Sequence, residues 1–290
     1  MAFVMTVSIA ALLGAVALST DVGLLYYNWG SLQKGADSAV LAGANNLPSD
    51  AAGAVVVADT FAAHNGIGAT EIVATTVAAD QQSITMRVSR TVPYSFAQLV
   101  GLWSGLVSVS ATAGLEGAGS VSGTVPVGID SRTTYTYGQQ VNLLTGQYGA
   151  GNWGPLALGA TGATTFESNV EYGYAGSLSV GQMLTTETGQ MVGPTVTAFD
   201  YRLSTGSAAY PDGTFASHSI SDPRIMTVPM VDYANINGGS QVQILGFAEL
   251  WLVGMNSQET ITTYFIKQVA AGVPSASAPN YGALQVVLIR

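Results

Sequence analysis

The residues of this sequence able to do chemistry are few and scattered. Glu167 and Glu171 could face one way and serve as the paired carboxylates of glycoside hydrolysis. They lie in a glycine-rich region with no other catalytic support, so solvated surface carboxylates are the better reading. His64 falls at an expected helix end and His218 in the polar stretch Ser217-His218-Ser219, so both read as cap or surface groups. Asp200, Asp212 and Asp222 surround turns and could offer oxygen ligands to calcium. Their spacing matches no calcium loop, and turn formation accounts for them better. Tyr135, Tyr137, Tyr148, Tyr172 and Tyr174 could form a sugar-binding platform, although packing or subunit contact is the simpler account. There is no Gly-x-Ser-x-Gly elbow, phosphate-binding loop or His-Glu-x-x-His pair. The absence of cysteine excludes disulfides, thiolate metal sites and cysteine nucleophiles. The expectation is therefore no enzyme, no cofactor and no metal, with an envelope hydrolase kept only as a class-level check.

Composition points away from catalysis as well. The chain has 290 residues, of which 9% are charged, against about 25% in an ordinary soluble domain. Eight basic and 17 acidic side chains leave a net charge of −9. Nucleic acid is excluded as a partner, since its phosphates require clustered Lys and Arg. A weakly charged surface rich in Gly, Ala, Ser and Thr promotes association, which suits either a protein whose surface is made to associate or an extracellular protein that tolerates it.

The N-terminus must position whatever assembles. Met1 to Ser19 carries no charge and, as a helix, approaches the roughly 30 Å core of a bilayer. No Lys or Arg precedes the apolar run, unlike a signal peptide, and the first basic residue is Lys34. The expectation is a retained helix from which a basic leader has been removed upstream. From Val22 the apolar positions Val22, Leu25, Trp29, Leu32, Ala36 and Ala39 recur three and four apart as a seam, with Asp21, Asn28 and Lys34 off it. Asn45-Asn46 and Pro48 supply a stop. A helix from Ala2 to Ala44 would be roughly 65 Å long. Gly14 and Gly23, with the small residues from Ala36 to Ala44, would permit close helix contact.

The segment ALLGAVALSTDVGLLYYNWGSLQKGADSAVLAGA resembles the N-terminal signature of the Tad (tight adherence) pilus-assembly TadG-like family. The residues that carry the resemblance are Asp21, Gly23, Leu32, Gln33, Ala36, Asp37, Ala39, Leu41, Ala42, Gly43 and Ala44. Farther on, GPTVTAFDYR, DPRIMTVPMVDY and VQILGFAELWL look similar to the C-terminal part of some large TadG-related proteins. Some members carry a von Willebrand-type domain with an Asp-x-Ser-x-Ser metal triplet, which this sequence lacks. The resemblance implies a pilin-like filament protein that works with copies of itself, with pilus-assembly machinery and, before assembly, with the inner membrane. Its place would be the cell envelope, then an extracellular filament after export and leader removal.

Beyond Pro48 the pattern predicts a helix from Asp50 to His64 capped by Ser49, and strands over Glu71–Ala78 and Ser83–Val92 around an Asp80-Gln81-Gln82 turn. A short helix from Pro93 to Gly101, a strand over Leu106–Leu115 and a Gly/Ser-rich boundary over Glu116–Gly123 follow. The remainder reads as β-structure, with strands over 125–129, 139–144, 177–180, 195–201, 225–231, 242–253, 260–269 and 284–289, and a long loop over 147–165 around Trp153 and Pro155. The fold class is α+β: a long apolar helix (1–47), a small α+β unit (48–116) and a β-rich, sandwich- or barrel-like domain (117–290). The expected assembly residues are Phe3, Val7, Leu13, Gly14, Asp21, Val22, Gly23, Leu25, Trp29, Leu32, Ala36 and Ala39. The leading function is a structural subunit of a pilus-type filament. A membrane-anchored accessory protein or minor adhesive pilin is the alternative.

Overall fold

The computed structural model describes residues 2–143, 154–187, 192–233, 240–255 and 260–289, without the side chains of residues 2, 3, 6, 7, 9–11, 13, 100 and 192. The architecture is α+β in two compact units, Met1–Gly114 with Leu288–Arg290, and Leu115–Val287.

The first unit is built on α1 (Ala2–Ala44), which ends where Asn45, Asn46 and the cis Leu47–Pro48 bond stop it. A second helix, α2 (Ala51–His64), is capped by Asp50, whose carboxylate accepts from the Gly53 amide at 2.8 Å. The expected cap, Ser49, instead donates to the Asn46 carbonyl, because Asp50 is the residue adjacent to the first helical turn. Three antiparallel strands follow: β1 (Ile72–Val77), β2 (Ser83–Pro93) and β3 (Ser104–Val121). Gln81, at φ 57°, turns the β1–β2 hairpin while Asp80 accepts from the Gln82 amide. On β2, Ile84, Met86, Val88 and Val92 alternate inward, and Leu32, Ala36, Ala39, Val40 and Ala44 of α1 and Ala54, Ala58 and Ala62 of α2 are buried in the same unit. The expected Pro93–Gly101 helix shrinks to a 3-10 turn over Ala97–Val100, since Pro93 completes β2. The expected Gly/Ser-rich boundary at Glu116–Gly123 is mostly strand, because β3 runs on to Val121.

The second unit centres on β10 (Gln241–Met255), flanked by β9 (Ile225–Val231) and β11 (Ile261–Ile266). Earlier in the chain, β4 (Ile129–Asp130) pairs with β9 and β5 (Gln140–Leu143) with β11, while β6 (Leu156–Ala157) pairs with β8 (Met183–Thr186) and β8 with β10. The tail of β3 pairs with β7 (Leu178–Ser179) and β13 (Gly272–Pro274), and β12 (Gln268–Val269) lies parallel to β14 (Ala283–Ile289). The unit is β-rich, and it also holds two helices that the sequence pattern did not predict. Helices α3 (Ala163–Tyr172) and α4 (Val192–Ala209) bury Phe166, Val170, Ala198 and Phe199 in one core with Met226, Val228, Leu250 and Phe265. The strand predicted over 195–201 is the first half of α4. Its β-branched and aromatic letters suit a strand, but the buried residues Thr195, Ala198, Phe199 and Arg202 follow the helical period. Pro194 sits in the first turn, where its missing N–H costs nothing.

Candidate assembly surface

Helix α1 divides along its length. Leu32, Ala36 and Ala39 of the expected seam are buried within the first unit, whereas Leu25 is half-buried and Val22 and Trp29 are 54% and 44% exposed. The close contact expected of the small residues occurs inside the unit: a Cβ on Gly43 would lie 2.5 Å from the Ala54 carbonyl oxygen and 2.9 Å from the Ala58 Cβ. Gly14 and Gly23 face open space. Toward the N-terminus, Val4, Met5, Leu12, Val16 and Leu18 are exposed. Phe3, Val7 and Leu13 lie on α1, with side chains outside those described. Among the described residues no helix is long and apolar enough to cross a membrane.

Asp21, placed off the seam by its polarity, is 3% exposed. The β2–β3 connection turns as a 3-10 segment closed by Gly101 at φ 86°, and its leading amides have no partner within the turn. Asp21 supplies the acceptors: Oδ1 receives the Ser95 amide at 2.6 Å, Oδ2 the Ala97 amide at 2.7 Å, and Phe96 donates to both. Burial alone would raise its pKa, but the three backbone donors outweigh that and hold the carboxyl below its usual range. The contribution of this bonding is present above the ordinary carboxylate range of about 4 and is lost as pH falls through the lowered value. Replacing Asp21 with asparagine turns one acceptor into a donor facing other donors. We expect faster amide hydrogen exchange at Ser95, Phe96 and Ala97 in Asp21→Asn, with β1 unchanged. Wild-type protection at these three amides would mean that the turn holds its own shape.

A second tie lies nearer the middle of α1. Arg90 on β2 donates to both carboxylate oxygens of Glu71, at 2.5 and 2.8 Å, to the Gly66 carbonyl at 2.7 Å and to Asn28 Oδ1 at 3.3 Å. Asn28, also expected off the seam, is therefore a half-buried contact of α1 rather than a solvated residue. Gln33 donates to Asp37 at 2.7 Å and to the Ser110 carbonyl at 3.2 Å. Between α1 and the β2–β3 connection runs a cleft of about 310 Å³, with Leu18, Val22 and Leu25 on one wall and Tyr94, Phe96 and Leu102 on the other.

Of the residues first weighed for chemistry, Glu171, Tyr172 and Asp222 line one cavity, and the other described ones lie apart from it. His64 ends α2 beside Phe61, and His218 contacts the Thr214 carbonyl and Gln268. Asp222 receives Nε and a terminal nitrogen of Arg224 at 3.0 and 2.7 Å, which occupies the carboxylate in an ion pair. Among the described residues no cluster could hold a metal ion. Tyr135 stacks on Phe265, Tyr137 meets Phe215 and Tyr172 meets Tyr201, so these tyrosines pack separately and form no shared platform. Tyr148, Trp153 and most of the expected long loop lie outside the described residues.

Sequence reasoning missed Glu249. It is fully buried on β10, accepting from Thr227 Oγ1 at 2.6 Å and Gln268 Nε2 at 3.2 Å. Burial pushes its carboxyl up to about 7, against the opposing effect of those donors and of the Arg202 charge. Arg202 on α4 donates to the carbonyls of Val170, Pro223 and Ile225, and burial lowers its pKa to about 10. Both line a polar cavity of about 440 Å³ with Tyr172, Tyr201 and Gln268. The one signal in the sequence was an acidic residue inside the apolar run Phe247-Ala248-Glu249-Leu250-Trp251.

Residues 1–46 match the model of the Tad family, Flp pilus-assembly TadE/G-like. No curated protein and no solved structure matches the chain.

Proposed function

We propose that this chain, whose first 46 residues carry the Tad pilus-assembly signature, is a structural subunit of an extracellular pilus-type filament assembled through α1. The observation that carries the reading is the division of α1. From Leu32 to Ala44 one face of it is buried in its own unit, while Val4, Met5, Leu12, Val16 and Leu18 stand exposed on an uncharged run. Fully burying such side chains against other copies stabilises by roughly 1.5–3 kcal/mol each, more than the 0–1 kcal/mol or so of an exposed ion pair. The partners are copies of the chain and the pilus-assembly machinery, with the inner membrane holding the subunit beforehand. A second reading, an accessory protein or minor adhesive pilin kept at the membrane, rests on the same helix and differs in copy number.

Imaging of purified material at high concentration separates the two. Filaments built of this chain alone are expected, and dispersed detergent-bound particles would favour the accessory reading. Filaments are expected to persist at about 0.5 M salt, where exposed charge pairs are screened, and to loosen in detergent. A chain lacking residues 1–19 that still formed the same filaments would show that another surface drives assembly.

A further inference from the structure

We propose that the connection between β2 and β3 is a second lipid-contacting element, a tip that dips into the bilayer surface beside α1 before assembly. The proposal rests on the membrane stage of the function proposed above. The tip is apolar and uncovered: Leu99 is 86% exposed, Trp103 69% and Leu102 59%, and Phe96 and Leu106 are exposed with them. The sequence from Thr91 to Leu115 contains no charged residue. Water is a poor environment for such a cluster, which marks an interaction site rather than scattered surface apolarity.

What covers it follows from where it is held. Residues 2–20 of α1 span roughly 28 Å, close to the thickness of a bilayer's hydrocarbon core. Asp21, the first charged residue of the chain, therefore falls at the edge of that core when the run is in lipid. The amides of Ser95, Phe96 and Ala97 are bonded to this carboxylate, so the tip is fixed at the same level. Phe96 and Leu102 line one cleft with Gly14 and Leu18, and Gly14 lies about 10 Å below Asp21 along the helix axis. An apolar element reaching about 5–10 Å into the headgroup and acyl boundary is the ordinary depth of a surface-bound segment. Tyr26 and Tyr27, both exposed on the water side of Asp21, suit the headgroup layer, where amphipathic rings are favoured. Leu99 and Trp103 project from the turn outside that cleft, so fluid chains cover them more readily than a rigid partner does.

The chain has no cysteine, so single labels can be placed in the full-length protein. Leu12→Cys, Leu99→Cys and Ala79→Cys, the last in the β1–β2 turn at the far end of β2, would each carry an environment-sensitive fluorophore. Reconstitution into phosphatidylcholine–phosphatidylglycerol vesicles at high lipid excess keeps copies apart, and lipids bearing nitroxides at shallow or deep positions act as quenchers. We expect the Leu12 label to be quenched by the deep nitroxide, the Leu99 label to shift blue and be quenched most by the shallow one, and the Ala79 label to be unaffected. A Leu99 label that behaves like the Ala79 label while Leu12 is quenched would overturn this inference and leave the membrane stage intact. Absence of quenching at both Leu12 and Leu99 would overturn both. A Leu99 response that appears only when protein is concentrated would assign the tip to a second copy and equally overturn the inference.

Discussion

Glu249→Gln is expected to remove most of the pH dependence of the second unit's stability between about pH 4.5 and 7, and to stabilise that unit above pH 7 by up to about 3 kcal/mol. The sign follows from the raised carboxyl, which moves from 4.5 to about 7 on folding. Below pH 4.5 the group is neutral in both states and costs nothing. Between the two values the unfolded chain releases the proton while the folded chain keeps it, so stability falls as pH rises. Above 7 the folded unit holds a buried carboxylate, eased only in part by Thr227, Gln268 and the charge of Arg202. Glutamine keeps the shape and the acceptor facing Thr227, and the Gln268 amide can turn its oxygen toward the new donor. Urea titrations of both proteins at pH 4.5, 6 and 8 would measure the difference; parallel profiles would mean that folding leaves the Glu249 pKa unchanged.

Gly43→Leu is expected to destabilise the first unit by about 3 kcal/mol, the upper part of the usual range for an overpacked core. A Cβ there meets a backbone carbonyl at 2.5 Å, and a carbonyl inside α2 cannot step aside as a side-chain tip can. The two helices would have to separate, disturbing the buried Ala54, Ala58 and Ile84 together. Gly30→Leu is the control on the same helix. Nothing lies within 4 Å of its Cβ position, and leucine is the better helix former by about 0.8 kcal/mol, so its effect should be slight or favourable. Thermal unfolding of both variants would decide, and a Gly43→Leu protein no less stable than Gly30→Leu would mean that helix propensity, not the α1–α2 contact, governs the response.

The contrast between these glycines marks what the sequence could and could not tell. The reach of α1 was legible because an apolar run, a three-and-four spacing and an Asn-Asn-x-Pro stop agree. The β1–β2 hairpin was legible because alternation and a polar turn agree. Which α1 positions face inward was legible only from Leu32 onward, where the unit covers the helix. Nearer the N-terminus, Val22 and Trp29 continue the spacing but are only partly covered by their own unit. The bonds of Asp21 were not legible, because its partners are amides some 75 residues away that carry no side-chain signature. Glu249 was hidden likewise: a strand pattern marks which residues alternate, not that a strand is covered on both faces. The α4 error had a different source, since residue preference outvoted a helical period visible only once burial is known.

The Asp21 bonds also set an angular phase. Each α-helical residue turns the chain by about 100°, and the three amides fix the rotation of α1 at that one position relative to the tip. Every side chain before Asp21 therefore points in a direction counted from it. Loss of Ser19 or Thr20 would swing Leu18, Val16 and Leu12 by that angle without altering the fold, whereas insertion of seven residues there would return them nearly to their original bearing about 10 Å farther from the domain. The direction in which this rod presents its apolar side chains is thus measured from a single carboxylate.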